Sequence, residues 1–216
     1  MKQARSSLLA TSIAAARIVG LIALFLAAFS ILAPPARAQV QQICLALNEG
    51  GSGSEYLSVT EKGGLEGNAA YTIEAWVYPT SWAAYPTIVG NDYTVSYWLG
   101  LNTSGHIRFY PRGGSLVEGA NVVPLNTWTH VAATYNSASG WAIYFNGLLD
   151  GTGSLTGAVG TSANDLRIGA DRSLGAPAYF WHGYLDEIRI WSSARTMAEI
   201  RETMFTGPCR PVACIQ

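Results

Sequence analysis

The sequence predicts an all-β fold, a sandwich of two antiparallel sheets with one short C-terminal helix. Short segments rich in β-branched and aromatic residues alternate with Gly, Asn, Ser and Pro clusters roughly every 8 to 15 residues. Charged residues make up only 12% of the chain and aromatic residues 11%, which excludes a disordered polyampholyte. The 216 residues are enough for one large all-β domain.

Residues 1–38 have the composition of a cleavable export signal. Basic residues precede an apolar run at 18–33, and two prolines and the small residues Ala36 and Ala38 follow it. We predict cleavage after Ala38, so that the mature chain begins at Gln39 and is secreted, periplasmic or on the cell surface. The alternative is a retained anchor, but the apolar run of about 16 residues is shorter than the roughly 20 that a helix needs to cross a bilayer.

The charge of the exported part argues against nucleic-acid binding. Residues 1–38 hold four of the 13 Lys and Arg residues and no acid, so nine basic residues remain against 14 acidic ones, a net charge of −5. Such a domain lacks the cationic surface that neutralises phosphates. Nucleic acid is therefore not an expected partner.

Ten strands are predicted from the distribution of apolar residues and turn residues. They are Gln42–Asn48, Glu55–Thr60, Tyr71–Pro79, Thr87–Val89, Val95–Leu101, His106–Tyr110, Thr127–Tyr135, Trp141–Phe145, Asp165–Ile168 and Gly183–Trp191. The third strand places apolar residues on one face and Glu74, Trp76 and Tyr78 on the other. Both faces carry large side chains, so we expect this strand to be central and covered on both sides.

Two local motifs predict a turn and a helix. Asn146-Gly147 tolerates positive φ at both positions, as a two-residue β-hairpin requires. Thr196–Thr203 has the pattern of a short helix with a capping box, in which Thr196 caps the first turn and Glu199 reaches back to the cap backbone.

The exported part contains three cysteines, Cys44, Cys209 and Cys214. Export permits disulfides, and three thiols leave one unpaired within a single chain. A bridge from Cys44 to Cys209 or Cys214 would join the two termini; a Cys209–Cys214 loop with Cys44 buried is the alternative. We expect one domain over 39–207, between the signal (1–38) and a Cys-containing tail (208–216).

A set of motifs resembles a known family. In order, they are YTIEAWVYP (71–79), LNTWTHVAATY (125–135), IYFNG (143–147), LRIG (166–169), GYLDEIRIW (183–191) and ARTMAEI (194–200). Over roughly Ile43 to Arg201, the chain resembles the laminin-G-like domain of the concanavalin A-like lectin/glucanase superfamily. The resemblance implies a jelly-roll sandwich of two curved antiparallel sheets with adjacent N- and C-terminal strands. That topology would bring Cys44 near the C-terminal tail.

The pattern of acidic residues argues against glycoside hydrolysis. Glucan-cleaving enzymes of the resembled superfamily carry acids two residues apart on one strand, because one carboxyl protonates the leaving oxygen and the other attacks the sugar. Here Glu74 is the lone acid of its strand, and the consecutive Asp186 and Glu187 are predicted to point to opposite faces. His130, between strand neighbours, is expected to be a hydrogen-bonded core group. We therefore expect no catalysis.

The resemblance also implies a calcium site at a sheet edge. The family's ligands come from an early and a late strand, and the corresponding positions here are Asn48 and Asp186. Carboxylate and carbonyl oxygens suit Ca²⁺, although Asn in place of the family's Asp removes a charge. The alternative is that Asp186 accepts backbone N–H bonds at a strand bend and that Asn48 opens a Gly-rich loop.

Five aromatic residues on or beside predicted loops and strand ends are candidates for ligand binding: Trp82, Tyr85, Tyr93, Trp98 and Tyr110. Flat rings stack on sugar faces, and polar groups at the rim orient the sugar. The alternative for each ring is packing under a crossing loop. Four other tryptophans lie within the motif strands and are expected in the core: Trp76, Trp128, Trp141 and Trp191.

These observations favour a secreted, non-catalytic recognition module that binds a glycan or a cell-surface or extracellular protein, with calcium as a candidate cofactor. No stable membrane span is expected after cleavage. A structural or adhesive surface protein without a small ligand is the alternative, and a glycan-active enzyme is a third and weaker one.

Overall fold

The computed structural model describes residues 45–47, 53–59, 65 and 67–205. The predicted export signal, Asn48 and the three cysteines lie outside the described residues, so the cleavage site and the disulfide pairing stay predictions. Within these residues, no helix has the length and apolar character needed to cross a membrane.

The described residues form fourteen strands and one helix. They are β1 (Leu45–Leu47), β2 (Leu57–Val59), β3 (Ala70–Pro79), β4 (Thr87–Asn91), β5 (Tyr97–Leu101), β6 (His106–Tyr110), β7 (Val117–Val122), β8 (Thr129–Asn136), β9 (Gly140–Phe145), β10 (Leu148–Gly153), β11 (Leu166–Ile168), β12 (Asp171–Ser173), β13 (Ala176–Ala178), β14 (Gly183–Trp191) and α1 (Met197–Thr203).

Twelve of these strands form two six-stranded sheets, and every described pairing is antiparallel. The first sheet has the order β1-β14-β3-β8-β9-β10, and the second has the order β2-β11-β4-β5-β6-β7. The remaining two strands, β12 and β13, form a separate hairpin. The predicted all-β sandwich is confirmed, as is the implied adjacency of the first and last strands, because β1 pairs with β14.

The main core lies between the two sheets. The inward residues of β3, including Ile73 and Val77, are fully buried and pack in one cluster with Leu99 of β5 and Phe109 of β6. The outward residue Glu74 is fully buried as well. The predicted central position of this strand is confirmed, since β3 lies between β14 and β8.

All ten predicted strands are present, and His106–Tyr110 and Gly183–Trp191 have the predicted ends, but four observed strands were not predicted. They are β7, β10, β12 and β13. Val117–Val122 and Leu148–Gly153 contain Glu, Asp, Asn and Gly, which have low strand preference, and they extend where a neighbouring strand supplies hydrogen bonds. Strand formation there depends on tertiary pairing, which the local pattern does not show.

The predicted hairpin and helix are confirmed. Asn146 and Gly147 have φ of 49° and 73° and join β9 to β10, with Phe145 paired to Leu148. The Thr196 hydroxyl accepts a hydrogen bond from the Glu199 backbone N–H, and the Glu199 carboxylate accepts one from the Thr196 backbone N–H at 2.7 Å.

Helix α1 covers part of the outer face of the first sheet. Its Ile200 is fully buried against Ala132 and Tyr144, and Trp76 Nε1 donates a hydrogen bond to the Met204 carbonyl at 2.8 Å. The helix therefore buries the outward side of β3, β8 and β9.

A buried ionic cluster lies on the same outer face. Trp191 Nε1 donates to Glu74 Oε1 at 2.9 Å, and the Arg189 guanidinium lies 3.6 Å from the same oxygen. The register of β14 shifts between Asp186 and Arg189, and Glu187 has a φ of 49°.

The bulge overturns one prediction about the acids of β14. Asp186 pairs with the outward Trp76, and Glu187 forms an ion pair with Arg189 on that same face. The prediction that Asp186 and Glu187 point to opposite faces is therefore wrong, because a β-bulge interrupts the alternation on which it depended.

His130 is expected to make the protein less stable in mild acid. Its side chain is 1% exposed, and burial together with the nearby Arg189 charge lowers its pKa to about 3. In the unfolded chain His130 binds a proton near pH 6.5. The stability that the neutral, buried His130 contributes is therefore complete above that pH and is lost as the pH falls toward 3. At pH 5 the loss is about 2 kcal/mol.

The variant His130→Gln tests this expectation. Urea unfolding of both proteins at pH 5 and pH 8 should show that the variant loses about 2 kcal/mol less than the native chain on acidification. An identical loss in the two proteins would show that His130 is not the group responsible.

Candidate ligand-binding site

The outer face of the second sheet carries the aromatic residues of the candidate site. Alternation along β5 and β6 directs Leu99 and Phe109 into the core, so that Trp98 and Tyr110 face outward. These two residues are paired across the strands, and their rings meet edge to face with centroids 5.8 Å apart.

A cavity of about 210 Å³ opens on this face. Six residues line it: Tyr85, Tyr93, Trp98, Arg108, Tyr110 and Tyr179. β5 and β6 form its floor, whereas the walls come from the loop at 80–86, the loop at 92–96 and the segment that follows β13. We refer to it below as the aromatic cavity.

The structure brings four of the five sequence-predicted aromatic residues together in this cavity: Tyr85, Tyr93, Trp98 and Tyr110. The fifth, Trp82, lies elsewhere. Its ring packs against the main core and its Nε1 donates to the Val123 carbonyl at 3.1 Å. Trp82 therefore has the loop-packing role that was the alternative for each ring.

Two lining residues were not predicted from the sequence. Arg108 lies two residues before Tyr110 in a predicted strand, so the strand period alone indicates that the two side chains share a face. Tyr179 had no comparable signal, because the β12–β13 hairpin brings it to the cavity from far along the chain.

The Trp98 indole is fixed in place by its neighbours. Its Nε1 donates to Thr87 Oγ1 at 2.8 Å, and the side chain is 3% exposed. A Cβ atom on Gly100 would lie 2.5 Å from the ring carbon Cη2 and would also collide with the Pro86 carbonyl oxygen. Only glycine at position 100 leaves space for the ring in this orientation.

Asp171 fixes the loop that carries Tyr93. The two carboxylate oxygens of Asp171 accept the backbone N–H groups of Asp92 at 3.1 Å and Tyr93 at 3.3 Å. Burial raises the pKa of Asp171 to about 6 although both hydrogen bonds lower it. A Cβ on Gly90 would lie 2.9 Å from Asp171 Cβ, so glycine permits this close approach.

Three residues at the cavity have left-handed backbone conformations, which are uncommon outside glycine. The φ angles are 57° for Tyr85, 58° for Tyr179 and 66° for Asp92. Such conformations cost free energy, persist only where the surrounding contacts impose them, and cluster at functional sites. Tyr179 meets Tyr93 edge to face at 6.0 Å, and its hydrogen bond to Tyr93 raises the pKa of the latter.

Arg108 supplies the one charged side chain among the six lining residues. Its Nε donates to Glu118 Oε1 at 2.8 Å, and its Cζ lies 4.7 Å from the centroid of the Tyr85 ring. The cavity thus combines five aromatic rings with one oriented guanidinium.

Of the two residues proposed for calcium, Asp186 lies in the described part of the chain. Asp186 is 6% exposed on the first sheet, its Oδ1 accepts the Glu187 backbone N–H at 2.8 Å, and burial raises its pKa. Asn48 lies outside the described residues. Among the residues that the structure describes, no group of three His, Cys, Asp or Glu side chains has a metal-binding arrangement.

The two six-stranded antiparallel sheets define a jelly-roll-like β-sandwich domain. Residues 50–201 match the sequence profile of the laminin-G-like group of the concanavalin A-like lectin/glucanases superfamily. The chain therefore belongs to this family, and the resemblance seen in the sequence motifs is confirmed.

Solved structures show the same fold. The carbohydrate-binding module CBM40 of the Ruminococcus gnavus IT-sialidase, bound to α2,3-sialyllactose, superposes with a TM-score of 0.63 and 14% identity, over 76% of this chain and 98% of that one. Domain 4 of an extracellular GH43 arabinanase from Geobacillus stearothermophilus, in complex with arabinotriose, superposes with a TM-score of 0.51 and 18% identity, over 74% and 86% of the two chains. Identities this low establish the fold alone.

A curated human protein matches part of the sequence. Adhesion G-protein coupled receptor D1 of Homo sapiens is 33% identical over 100 residues, which are 44% of this chain and 11% of the receptor. The similarity therefore concerns a small part of that receptor.

Replacing Gly100 by Ala is expected to destabilise the protein and displace Trp98. The added methyl group collides with the Pro86 backbone and the indole, so the free energy of unfolding should fall by about 1 to 3 kcal/mol. Thermal unfolding and near-ultraviolet circular dichroism measure the two effects.

Gly151→Ala is the matched control, since the nearest atoms to its added Cβ lie 3.3 Å away. It should change stability by less than Gly100→Ala does. Equal stability of the two variants, with unchanged tryptophan signals, would contradict the packing described for Trp98.

Proposed function

We propose that this chain is a secreted, non-catalytic recognition module that binds carbohydrate in the aromatic cavity. The observation that carries the proposal is the cavity itself, in which five aromatic side chains and Arg108 converge on one outward face of the sandwich. Sugar rings have apolar C–H faces that stack on aromatic rings, and their hydroxyls bond to polar groups around them.

The size of the cavity favours a short ligand. Its volume of about 210 Å³ is below the roughly 300 to 1,000 Å³ of typical small-molecule sites. One or two sugar units, such as the end of a longer glycan, would occupy it.

The comparisons support a carbohydrate ligand. Two proteins with the same sandwich contain a bound oligosaccharide, sialyllactose in one and arabinotriose in the other. Because sequence identity to each is low, the support concerns the suitability of the fold, and the choice of site depends on the aromatic cavity.

The positions of the acids support a non-catalytic role. None of the six residues that line the cavity is an acid. Glu74 is fully buried and Asp186 is 6% exposed, both on the first sheet, where neither is accessible to a polysaccharide. A glycosidase needs two carboxyl groups on either side of the scissile bond.

Adhesion to a cell-surface or extracellular protein is the second candidate function. The observation that favours it is the 33% identity to a segment of the human adhesion receptor. The sandwich would then act through its exposed loops and edges.

Binding should depend on the rings of the aromatic cavity. A glycan array identifies a ligand, and calorimetric titration then compares the native chain with Tyr93→Ala. We expect the variant to bind about tenfold more weakly, because one stacking surface is removed.

Tyr184→Ala is the control, because this ring contacts Tyr78 and Trp128 on the first sheet. It should bind like the native chain. A blank array would favour the adhesive function, and unchanged affinity of Tyr93→Ala would place the ligand elsewhere.

Calcium assistance remains part of the proposal, on the residues Asn48 and Asp186. After treatment with a chelator, calorimetric titration with calcium chloride should release or absorb heat, and the melting temperature should rise because the ion binds only the folded chain. Titration without heat, together with an unchanged melting temperature, would remove calcium from the proposal.

A further inference from the structure

We infer that the aromatic cavity selects carbohydrates that carry a carboxylate, and that Arg108 is the residue that binds this group. The inference rests on the proposed function, since it names the class of sugar that the same cavity takes. Hexuronic acids and sialic acids share the required chemistry.

The Arg108 guanidinium is held in place before any ligand binds. Glu118 of the neighbouring strand β7 accepts from Nε at 2.8 Å, and Arg108 Cζ lies over the Tyr85 ring, 4.7 Å from its centroid. The Arg108 side chain is 21% exposed. A planar group held from two sides loses little conformational entropy when it binds a ligand.

The two terminal amino groups of Arg108 are available to a ligand. Within the described part of the chain, Nε is the one nitrogen of the Arg108 side chain that donates a hydrogen bond. Donors on the floor of a partly enclosed cavity lose water when a ligand enters, and they then require an acceptor. A carboxylate accepts from two N–H groups of a guanidinium at once, which a single hydroxyl does not.

The charges around the cavity permit an anion. Glu118 is bonded at the Nε side of Arg108 and to Asn102 Nδ2 at 3.1 Å, and its side chain is 37% exposed, so water screens its charge. Asp171 is fully buried, and backbone N–H groups of Asp92 and Tyr93 occupy its two oxygens. Asp92, beside the cavity, accepts from the Thr94 backbone N–H and from Asn164 Nδ2 through its two carboxylate oxygens. The acidic neighbours are therefore hydrogen-bonded, whereas the terminal amino groups of Arg108 have no acceptor among the described residues.

The aromatic rings supply the remaining contacts. Three of them form a connected group, in which the Tyr110 ring contacts both others. The ring centroids are 5.3 Å apart for Tyr93 and Tyr110 and 5.8 Å apart for Trp98 and Tyr110. The half-buried rings of Tyr93 and Tyr110 stack on the sugar ring while Arg108 binds its acidic substituent. Trp98, which is 3% exposed, supports the Tyr110 ring through their edge-to-face contact. The rings account for affinity toward sugars in general, and Arg108 accounts for discrimination between acidic and neutral sugars.

The test uses matched pairs of sugars that differ in the carboxylate. Calorimetric titration compares oligogalacturonate with galacto-oligosaccharide, and sialyllactose with lactose. In at least one pair we expect the native chain to bind the acidic member about tenfold more tightly, with an advantage that shrinks as salt is raised. The pair that shows it distinguishes a uronic acid from a sialic acid.

Three variants identify the residue responsible. Arg108→Gln should lose the advantage of the acidic sugar and keep its affinity for the neutral one, whereas Arg108→Lys, which retains the charge without the planar fork, should keep part of the advantage. Arg201→Gln makes the same charge change on helix α1 and should behave like the native chain. Circular dichroism and melting temperatures confirm that each variant is folded.

Equal affinity of the native chain for the acidic and neutral members of both pairs would overturn the inference and leave the proposed function standing. If Arg108→Gln weakened the binding of the acidic and the neutral sugar to the same extent, the inference would also be overturned, since Arg108 would then not discriminate between them. Absence of binding to all four sugars by a folded native chain, together with a blank glycan array, would contradict the proposed function and the inference with it.

Discussion

The antiparallel pairing of β5 with β6 determines both the core and the aromatic cavity. The same two-residue period that buries Leu99 and Phe109 between the sheets directs Trp98, Arg108 and Tyr110 outward. A shift of one residue in this register would exchange the two sets, placing an arginine in the core and apolar groups in water. Stability of the sandwich and the composition of the cavity are therefore coupled, because one pairing fixes both.

The two outer faces of the sandwich differ in how they are covered. Helix α1 packs on the first sheet, where Ile200 is buried against the strands and Trp76 donates a hydrogen bond to the Met204 carbonyl. A second cavity of about 430 Å³ opens beside this helix and is lined by Trp76, Met204 and Phe205 among others. On the second sheet, the loops and the β12–β13 hairpin surround the outward rings and leave a cavity between them. Asp171 joins two of these walls through its bonds to the loop at 92–96. Its burial shows that the walls are part of the packed structure.

Local patterns in the sequence predicted the features that depend on interactions between residues close together in the chain. The alternation along β3, the Asn146-Gly147 turn and the Thr196 capping box all act over a few residues, and the structure has them where they were expected. Four cavity rings were also predicted, because they stand at loops and strand ends. The position of Tyr179 at the cavity was not predicted, because the β12–β13 hairpin places it there from far along the chain. The orientation of Glu187 was not predicted, because a bulge interrupts the strand period. Both depend on tertiary pairing that no short window of sequence contains.

Mapping a bound sugar on the folded chain would decide whether the aromatic cavity is the site of recognition. In a titration with a glycan identified on an array, ¹H–¹⁵N spectra should show the largest shifts for the Trp98 indole N–H and for the backbone of 92–96 and 108–110. Signals from helix α1 on the other sheet should stay unchanged. Shifts concentrated on α1 and the first sheet, with the Trp98 indole unaffected, would show that recognition occurs on a different face of the protein.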